Sequence, residues 1–174
     1  MKEIDELLLL RKPEYDDIDI LYQLKNDSET NDLLGGFTKG YSKEDIRNWI
    51  IFHNQTPDEC LYLIQERKTS KIIGHVGLYK IDFRVRKAEF AILIADKQAR
   101  GKGYGKICTD FMLDFGFNQL NLNRIELSLL STNTIAYKLY VNKGFEKEGV
   151  LKEAQYKNGD YIDVILMAKL RGSK

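Results

Sequence analysis

Cysteine and histidine are scarce, with two of each in a chain of 174 residues. Cys60 and Cys108 stand far apart and form no CxxC pair, so neither a disulfide framework nor a zinc site organises this chain. A reduced, cytoplasmic setting is the expectation. His53 and His75 are too few and too scattered to build a metal cluster, and no metal is expected. Proline is limited to Pro13 and Pro57, and there is no Pro/Ser-rich linker, internal repeat or low-complexity stretch. Long apolar runs are missing too. Leu7 to Leu10 falls far short of the roughly 20 residues that cross a bilayer, and it follows acidic residues rather than a basic leader. No membrane association is expected. Neither charge sign is in excess: 27 basic against 26 acidic side chains leave a net charge of +1. A nucleic-acid binder would show a basic surplus or patch, so no nucleic-acid partner is expected.

What is present suits one folded unit. Apolar residues at 43% and aromatics at 11% are enough to bury a core and exclude a disordered chain. The chain reads as a single domain over residues 1–174, frayed from Arg171. Residues 1–60 carry a strand and helices, and residues 61–170 the core. Strands are expected at Glu6–Arg11, Cys60–Glu66, Ile72–Lys80, Ala88–Ala95, Arg124–Leu130, Gly149–Tyr156 and Tyr161–Leu170. Helices are expected at Asp16–Asp27, after Ser42, at Gly105–Asn118 and at Thr134–Lys143. Ser42 and Asp45 have the spacing of a capping box, and Asn158-Gly159 signals a hairpin turn. The order predicts an α+β (mixed α/β) fold: a twisted, mostly antiparallel sheet of six or seven strands flanked by about four helices. The passage from Ala88 to Leu130 predicts one parallel pair with a right-handed crossover.

The chemistry concentrates where that crossover begins. A buried strand runs into Gln98-Ala99-Arg100-Gly101-Lys102-Gly103-Tyr104-Gly105, and the loop opens a helix. Alternate glycines let the backbone turn tightly and approach a ligand. The free amides of the first helical turn then form an anion site suited to phosphate. Arg100, Lys102 and Lys106 add positive charge. The pattern is neither a Walker loop nor the dinucleotide fingerprint, whose spacings it lacks.

Gln98-x-x-Gly101-x-Gly103 resembles the pyrophosphate loop of the GCN5-related N-acetyltransferase (GNAT) superfamily. Asn133-x-x-Ala136-x-x-Leu139-Tyr140-x-x-x-Gly144-Phe145 is similar to its second signature. The likeness covers Ile72 to Leu170, and Asn158-Gly159-x-Tyr161-x-Asp163 looks most like the branch of ribosomal-protein N-terminal and spermidine acetyltransferases. It implies a GNAT-like fold with a splayed parallel strand pair and acetyl-CoA as co-substrate. Backbone groups near Ile92, Leu93 and Ile94 would pair with the pantetheine, and Ile92 N–H would serve the oxyanion. Gln98, Arg100, Gly101, Lys102, Gly103, Tyr104 and Gly105 would hold the pyrophosphate. Asn133 would touch the coenzyme, cap the next helix, or both.

By the same resemblance Tyr140 falls at the general-acid position. Glu89, a carboxylate on an apolar strand, reads either as the base (directly or through water) or as the partner of a neighbouring cation. Glu29, Asp32, Phe37, Tyr41 and Tyr79 are candidates for the acceptor pocket. Cys108 and Cys60 read as packing residues and His75 as a partly buried structural one. The acceptor is expected to be a small-molecule amine, polyamine-like, or a peptide N-terminus, with an amino-sugar nucleotide or a non-catalytic acyl-CoA-binding module as the alternatives. A homodimer is expected only by analogy, since no segment specifies an interface.

Overall fold

In the computed structural model, described over residues 2–32, 34 and 39–172, the chain folds around one eight-stranded sheet. The strands are β1 (Lys2–Glu3), β2 (Leu8–Arg11), β3 (Cys60–Glu66), β4 (Ile72–Asp82), β5 (Lys87–Ile94), β6 (Arg124–Leu130), β7 (Glu146–Lys157) and β8 (Asp160–Leu170), in the spatial order β1-β2-β3-β4-β5-β6-β8-β7. The strand beyond the expected six or seven is the two-residue β1, paired with Leu9 and Leu10. Five α-helices accompany the sheet: α1 (Ile18–Asn26), α2 (Ser28–Asp32), α3 (Lys43–Gln55), α4 (Tyr104–Asp114) and α5 (Thr134–Asn142). The short α2 is the one the sequence pattern does not announce. No described helix is long and apolar enough to cross a membrane.

The two faces of the sheet bury different clusters. On one, Ile46 and Ile50 of α3 and Leu21 of α1 pack onto Leu63 and Ile72. The α3 start is fixed by its capping box: Asp45 N–H donates to Ser42 Oγ at 3.1 Å, and Ser42 N–H to Asp45 Oδ2 at 2.8 Å. On the other face, Cys108 and Met112 of α4 join Tyr62, Ile64, Leu78 and Phe90. The helical run expected to reach Asn118 does so, but widens to a π-turn over Phe115–Gln119. That turn presses Gly116 against the sheet so closely that a Cβ there would lie 2.7 Å from Ile125 Cδ1.

Every neighbouring pair is antiparallel except β5–β6, which α4 connects as a crossover. This pair is joined only at its base, through Lys87↔Arg124, Ala88↔Ile125 and Glu89↔Glu126. Beyond Glu89 the two strands diverge. β5 stays on β4 as far as Gly74↔Ile94, and β6 stays on β8 as far as Leu130↔Val164. The sheet therefore opens in a V, and the inner edges of both strands face the gap.

Candidate active site

The V is the mouth of a cleft of about 490 Å³, walled by β5 from Phe90 to Ile94, the end of β6, the loop and first turn of α4, and α5. Strand alternation decides which backbone groups face it. Ala95 N–H bonds Ile73 O at 2.9 Å, so the amides of Ala95, Leu93 and Ala91 point to β4. The main-chain groups of Phe90, Ile92 and Ile94 point the other way: Phe90 N–H closes the last rung to β6 beside the Glu89↔Glu126 pair, Ile94 O is taken by Arg100, and the carbonyl of Phe90, both groups of Ile92 and the amide of Ile94 face the gap. Of the three expected pantetheine residues, Ile92 and Ile94 thus offer main chain to the cleft. Leu93 offers only its side chain, because its main chain is spent on His75 across the β4 ladder.

The loop below is shaped by Gly101 and Gly103, whose φ values of 77° and 84° lie in the left-handed region that side chains resist. A Cβ on either would meet nothing within 4 Å, so the glycines serve the turn and leave its outer side open. Gly103 caps α4, and the amides that follow have no acceptor inside the helix. Gly101, Gly103, Tyr104 and Gly105 all line the cleft. So does Lys106, which is exposed and has no acidic partner among the described residues.

The loop's other polar side chains are taken. Arg100 is on the cleft wall, but its guanidinium donates to Ile94 O at 3.0 Å, Ala95 O at 3.2 Å and Thr30 Oγ1 at 3.1 Å. It braces the loop. Lys102 lies outside the cleft lining, 3.7 Å from Glu66, which also accepts from Tyr104 Oη at 2.8 Å. Gln98 is exposed outside the lining, its amide capped by Asp96. Asn133 meets both of its readings in part: Oδ1 accepts from Ala136 N–H at 3.1 Å as the α5 cap, and the residue lines the cleft.

Tyr140 reaches the cleft from α5, buried edge-to-face against Phe90 (ring centroids 6.1 Å apart) and beside Phe145. Burial pushes its phenol up to about 12, so it holds its proton throughout the neutral range. Glu89 is not brought to it. That residue sits at the joined base of the V, outside the cleft lining, with Oε1 2.9 Å from Lys80 Nζ. The β4–β5 hairpin supplies the cation that the sequence pattern could not place. Cys108 is fully buried and its thiol is pushed up to about 12, as fits a packing residue.

On the acceptor side the candidates separate. Glu29 is exposed and paired with Lys97 at 2.8 Å. Asp32 lines a second hollow of about 580 Å³, in which it meets Glu153, Asp160 and Asp163. Asp163 is paired with Lys152 at 2.8 Å, which leaves three carboxylates beside one ammonium, Lys157, whose Nζ is bound by the carbonyls of Asn31 and Leu34. Leu34 also belongs to the cleft wall, so the two hollows adjoin. Phe37 lies outside the described residues. Tyr79 lies over Gly77, and burial and Glu59 raise its phenol. It belongs to a cluster that sequence reasoning missed. His53 Nδ1 is 2.5 Å from Glu59 Oε2, Trp49 packs against both His53 and His75, and Lys25 Nζ lies 4.2 Å from the Trp49 ring and 5.4 Å from that of Tyr41. Trp49 and His53 stand four apart on the α3 stripe. That spacing announces a packed face without showing that it is polar. Among the described residues no group of three His, Cys, Asp or Glu could hold a metal.

Comparison with known proteins agrees with this geometry. Residues 8–146 match the family model described as an acetyltransferase (GNAT) domain. The uncharacterized N-acetyltransferase p20 of Bacillus licheniformis is 31% identical over 95% of this chain and 94% of its own. The spermidine N(1)-acetyltransferase of Vibrio cholerae is 32% identical over 90% of this chain and 89% of its own. A crystal structure of the Vibrio cholerae spermidine N-acetyltransferase, in complex with CoA and spermine, superposes with a TM-score of 0.87 over 97% of this chain and 98% of that one, at 30% identity.

Proposed function

The chain belongs to the GNAT acetyltransferase family, and from that membership we propose that it moves an acetyl group from acetyl-CoA, by direct attack, onto a primary amine of a small molecule or a protein N-terminus. The observation that carries the reading is the unpaired inner edge of β5. Phe90 O, both main-chain groups of Ile92 and Ile94 N–H face a gap that ends at a glycine-built helix N-terminus. An extended amide chain ending in a diphosphate fits that layout: its amides add to β5 as a strand would, and its phosphates meet the α4 amides and Lys106.

The chemistry follows from the atoms at the fork. The acceptor must first lose a proton, because an ammonium has no lone pair. With Glu89 held by Lys80, that proton leaves through water. The amine nitrogen bonds the thioester carbon, and the carbonyl oxygen gathers charge against Ile92 N–H. The nitrogen sheds its second proton to water, the carbon–sulfur bond breaks, and the electron pair leaves on sulfur, giving the amide and the thiolate. Tyr140 faces that sulfur as a donor. A phenol at about 12 holds its proton more tightly than a thiol near 8.5, so Tyr140 stabilises the departing thiolate chiefly by hydrogen bonding.

The three carboxylates of Asp32, Glu153 and Asp160 beside the cleft favour an acceptor that arrives as a cation, and the spermidine acetyltransferase relatives support a polyamine-like one. The test is thiol release from acetyl-CoA with spermidine, an alanine-terminated peptide and an amino-sugar nucleotide in parallel. Release with at least one of them is expected. A folded protein that binds CoA but acetylates no amine would overturn the reading.

A further inference from the structure

Lys25 is a partly buried cation that has no counter-charge among the described residues. It projects from α1, half-buried, onto the indole of Trp49 at 4.2 Å and the ring of Tyr41 at 5.4 Å. Among the described residues no carboxylate pairs with it, and the undescribed residues nearest in the chain, Leu33 and residues 35–38, bring none. Aromatic faces attract an ammonium, but they leave its three N–H donors without acceptors.

A second unmet group lies beside it. His75 Nδ1 is buried with no hydrogen-bond partner among the described residues. The imidazole packs against Trp49 at 5.6 Å, so one indole joins His75 and Lys25. The ring stays neutral: burial, then Lys25 and His53, lower its pKa to about 3. A neutral imidazole can present N–H at either nitrogen. The corner therefore offers one cation and one neutral donor, and its nearest carboxylate, Glu59, is spent on His53, so among the described residues neither group has an anionic partner, which is costly unless something supplies one.

Its position ties it to the reaction. His75 pairs with Leu93 across β4–β5, and directly opposed residues share a face of the sheet. Leu93 is on the wall of the cleft. The corner thus lies one strand from the Ile92 amide, on the face covered by α1 and α3.

We propose that Lys25 and His75 form a subsite for a carboxylate carried by the acceptor, so that the substrate class is an amine that is also an acid. This rests on the acetyl-transfer reading above and narrows it. An amino acid meets both electrostatic demands: the acidic hollow receives its ammonium, and the Lys25 corner its carboxylate.

Charge linkage gives a readout apart from turnover. Burial lowers Lys25 to about 8. The other groups about it are His75 and Tyr79 on β4, His53 with Glu59 from α3 and the approach to β3, Tyr41, and Glu29, which Lys97 holds. An arriving anion favours the charged lysine, so the protein takes up protons on binding near pH 8. A second cation there would expel them.

The experiment pairs amino acids with the amines left when the carboxylate is removed: glycine with methylamine, β-alanine with ethylamine, γ-aminobutyrate with propylamine. For the best pair, kcat/KM is expected to favour the acid by about tenfold or more, the discrimination of one charge-assisted hydrogen bond. Lys25→Met should pull that ratio toward one, and Lys25→Arg should keep it. Calorimetric titration of the CoA complex with the best acid, in two buffers of different ionisation enthalpy, should show proton uptake that Lys25→Met abolishes. A ratio near one in the wild type, a preference that survives Lys25→Met, or proton release on binding would each overturn the proposal. If spermidine is acetylated and no acid is preferred, the subsite fails and the acetyltransferase reading stands. If no amine is acetylated, that reading fails, and the proton titration decides the subsite alone.

Discussion

Arg100 Nη2 donates to Thr30 Oγ1 across 3.1 Å and joins two parts of the chain that the reaction must bring together. Arg100 belongs to the glycine loop proposed to hold the coenzyme, while Thr30, fully buried in α2, belongs to the side proposed to take the acceptor. Lys97 reinforces the link through Glu29 at 2.8 Å and Asp27 at 3.6 Å. From the far side, Lys157 of the β7–β8 hairpin binds the carbonyls of Asn31 and Leu34. The segment after α1 is thus clamped between coenzyme loop and hairpin, and order in one favours order in the other.

Removing the Thr30 hydroxyl should expose this coupling. Thr30→Val keeps the shape and leaves a buried guanidinium N–H unmet, a loss of about 1–3 kcal/mol. A lower melting temperature is expected, with acceptor KM rising more than acetyl-CoA KM. Equal rises in both KM values would mean that the contact supports the fold without linking the sites.

Tyr140→Phe removes the donor and keeps the packing against Phe90. The rate should fall by about 10- to 1,000-fold, with CoA affinity unchanged by titration. Because the Tyr140 phenol lies up at about 12, the wild-type rate should show no decline from phenol ionisation below about pH 10. An unaltered rate in the variant would remove Tyr140 from the mechanism.

Glu89 makes the opposite prediction. Its carboxylate is about half exposed and already on Lys80, at the joined end of the V. Glu89→Gln should change stability by no more than about 1 kcal/mol and leave the pH profile of kcat/KM in place. Loss of the acidic limb of that profile, where a base must give up its proton, would restore Glu89 as the base.

These residues show where a linear reading stops. The glycine turn, the Asn133 cap and the place of Tyr140 on the cleft wall are legible because contiguous spacing carries them: glycines where φ is positive, a cap before a helix, a tyrosine at a fixed distance from Gly144-Phe145. The strands Cys60–Glu66 and Arg124–Leu130 are legible at both ends, since apolar runs bounded by turns mark them. Strand β7 begins at Glu146, three residues before the expected Gly149, because an irregular register between Lys147 and Gly149 lets pairing continue back to Glu146↔Ala168 across residues that break the alternation. What the sequence hides is partnership across the fold. Lys80 neutralises Glu89 through a hairpin, Thr30 claims Arg100, and Lys25, Trp49 and His75 meet from three elements. Spacing cannot announce such contacts, because each depends on tertiary packing.

Gly103→Ala tests the loop. The methyl enters open space, so the cost is that of a left-handed φ, about 1–2 kcal/mol. The protein should remain folded at room temperature and bind CoA less tightly. Unchanged affinity would mean that this turn does not hold the phosphates.

The central claim is that acetyl-CoA lies along the inner edge of β5 and ends on the first turn of α4. Amide hydrogen exchange read residue by residue by NMR, with and without acetyl-CoA, tests it most directly. Slowed exchange is predicted at Ile92 and Ile94 and at Gly103 to Gly105, while Ala91 and Leu93, already bonded to β4, and Phe90, already bonded to β6, change little. No protection at Ile92 and Gly105, or equal protection of Ala91 and Ile92, would contradict it.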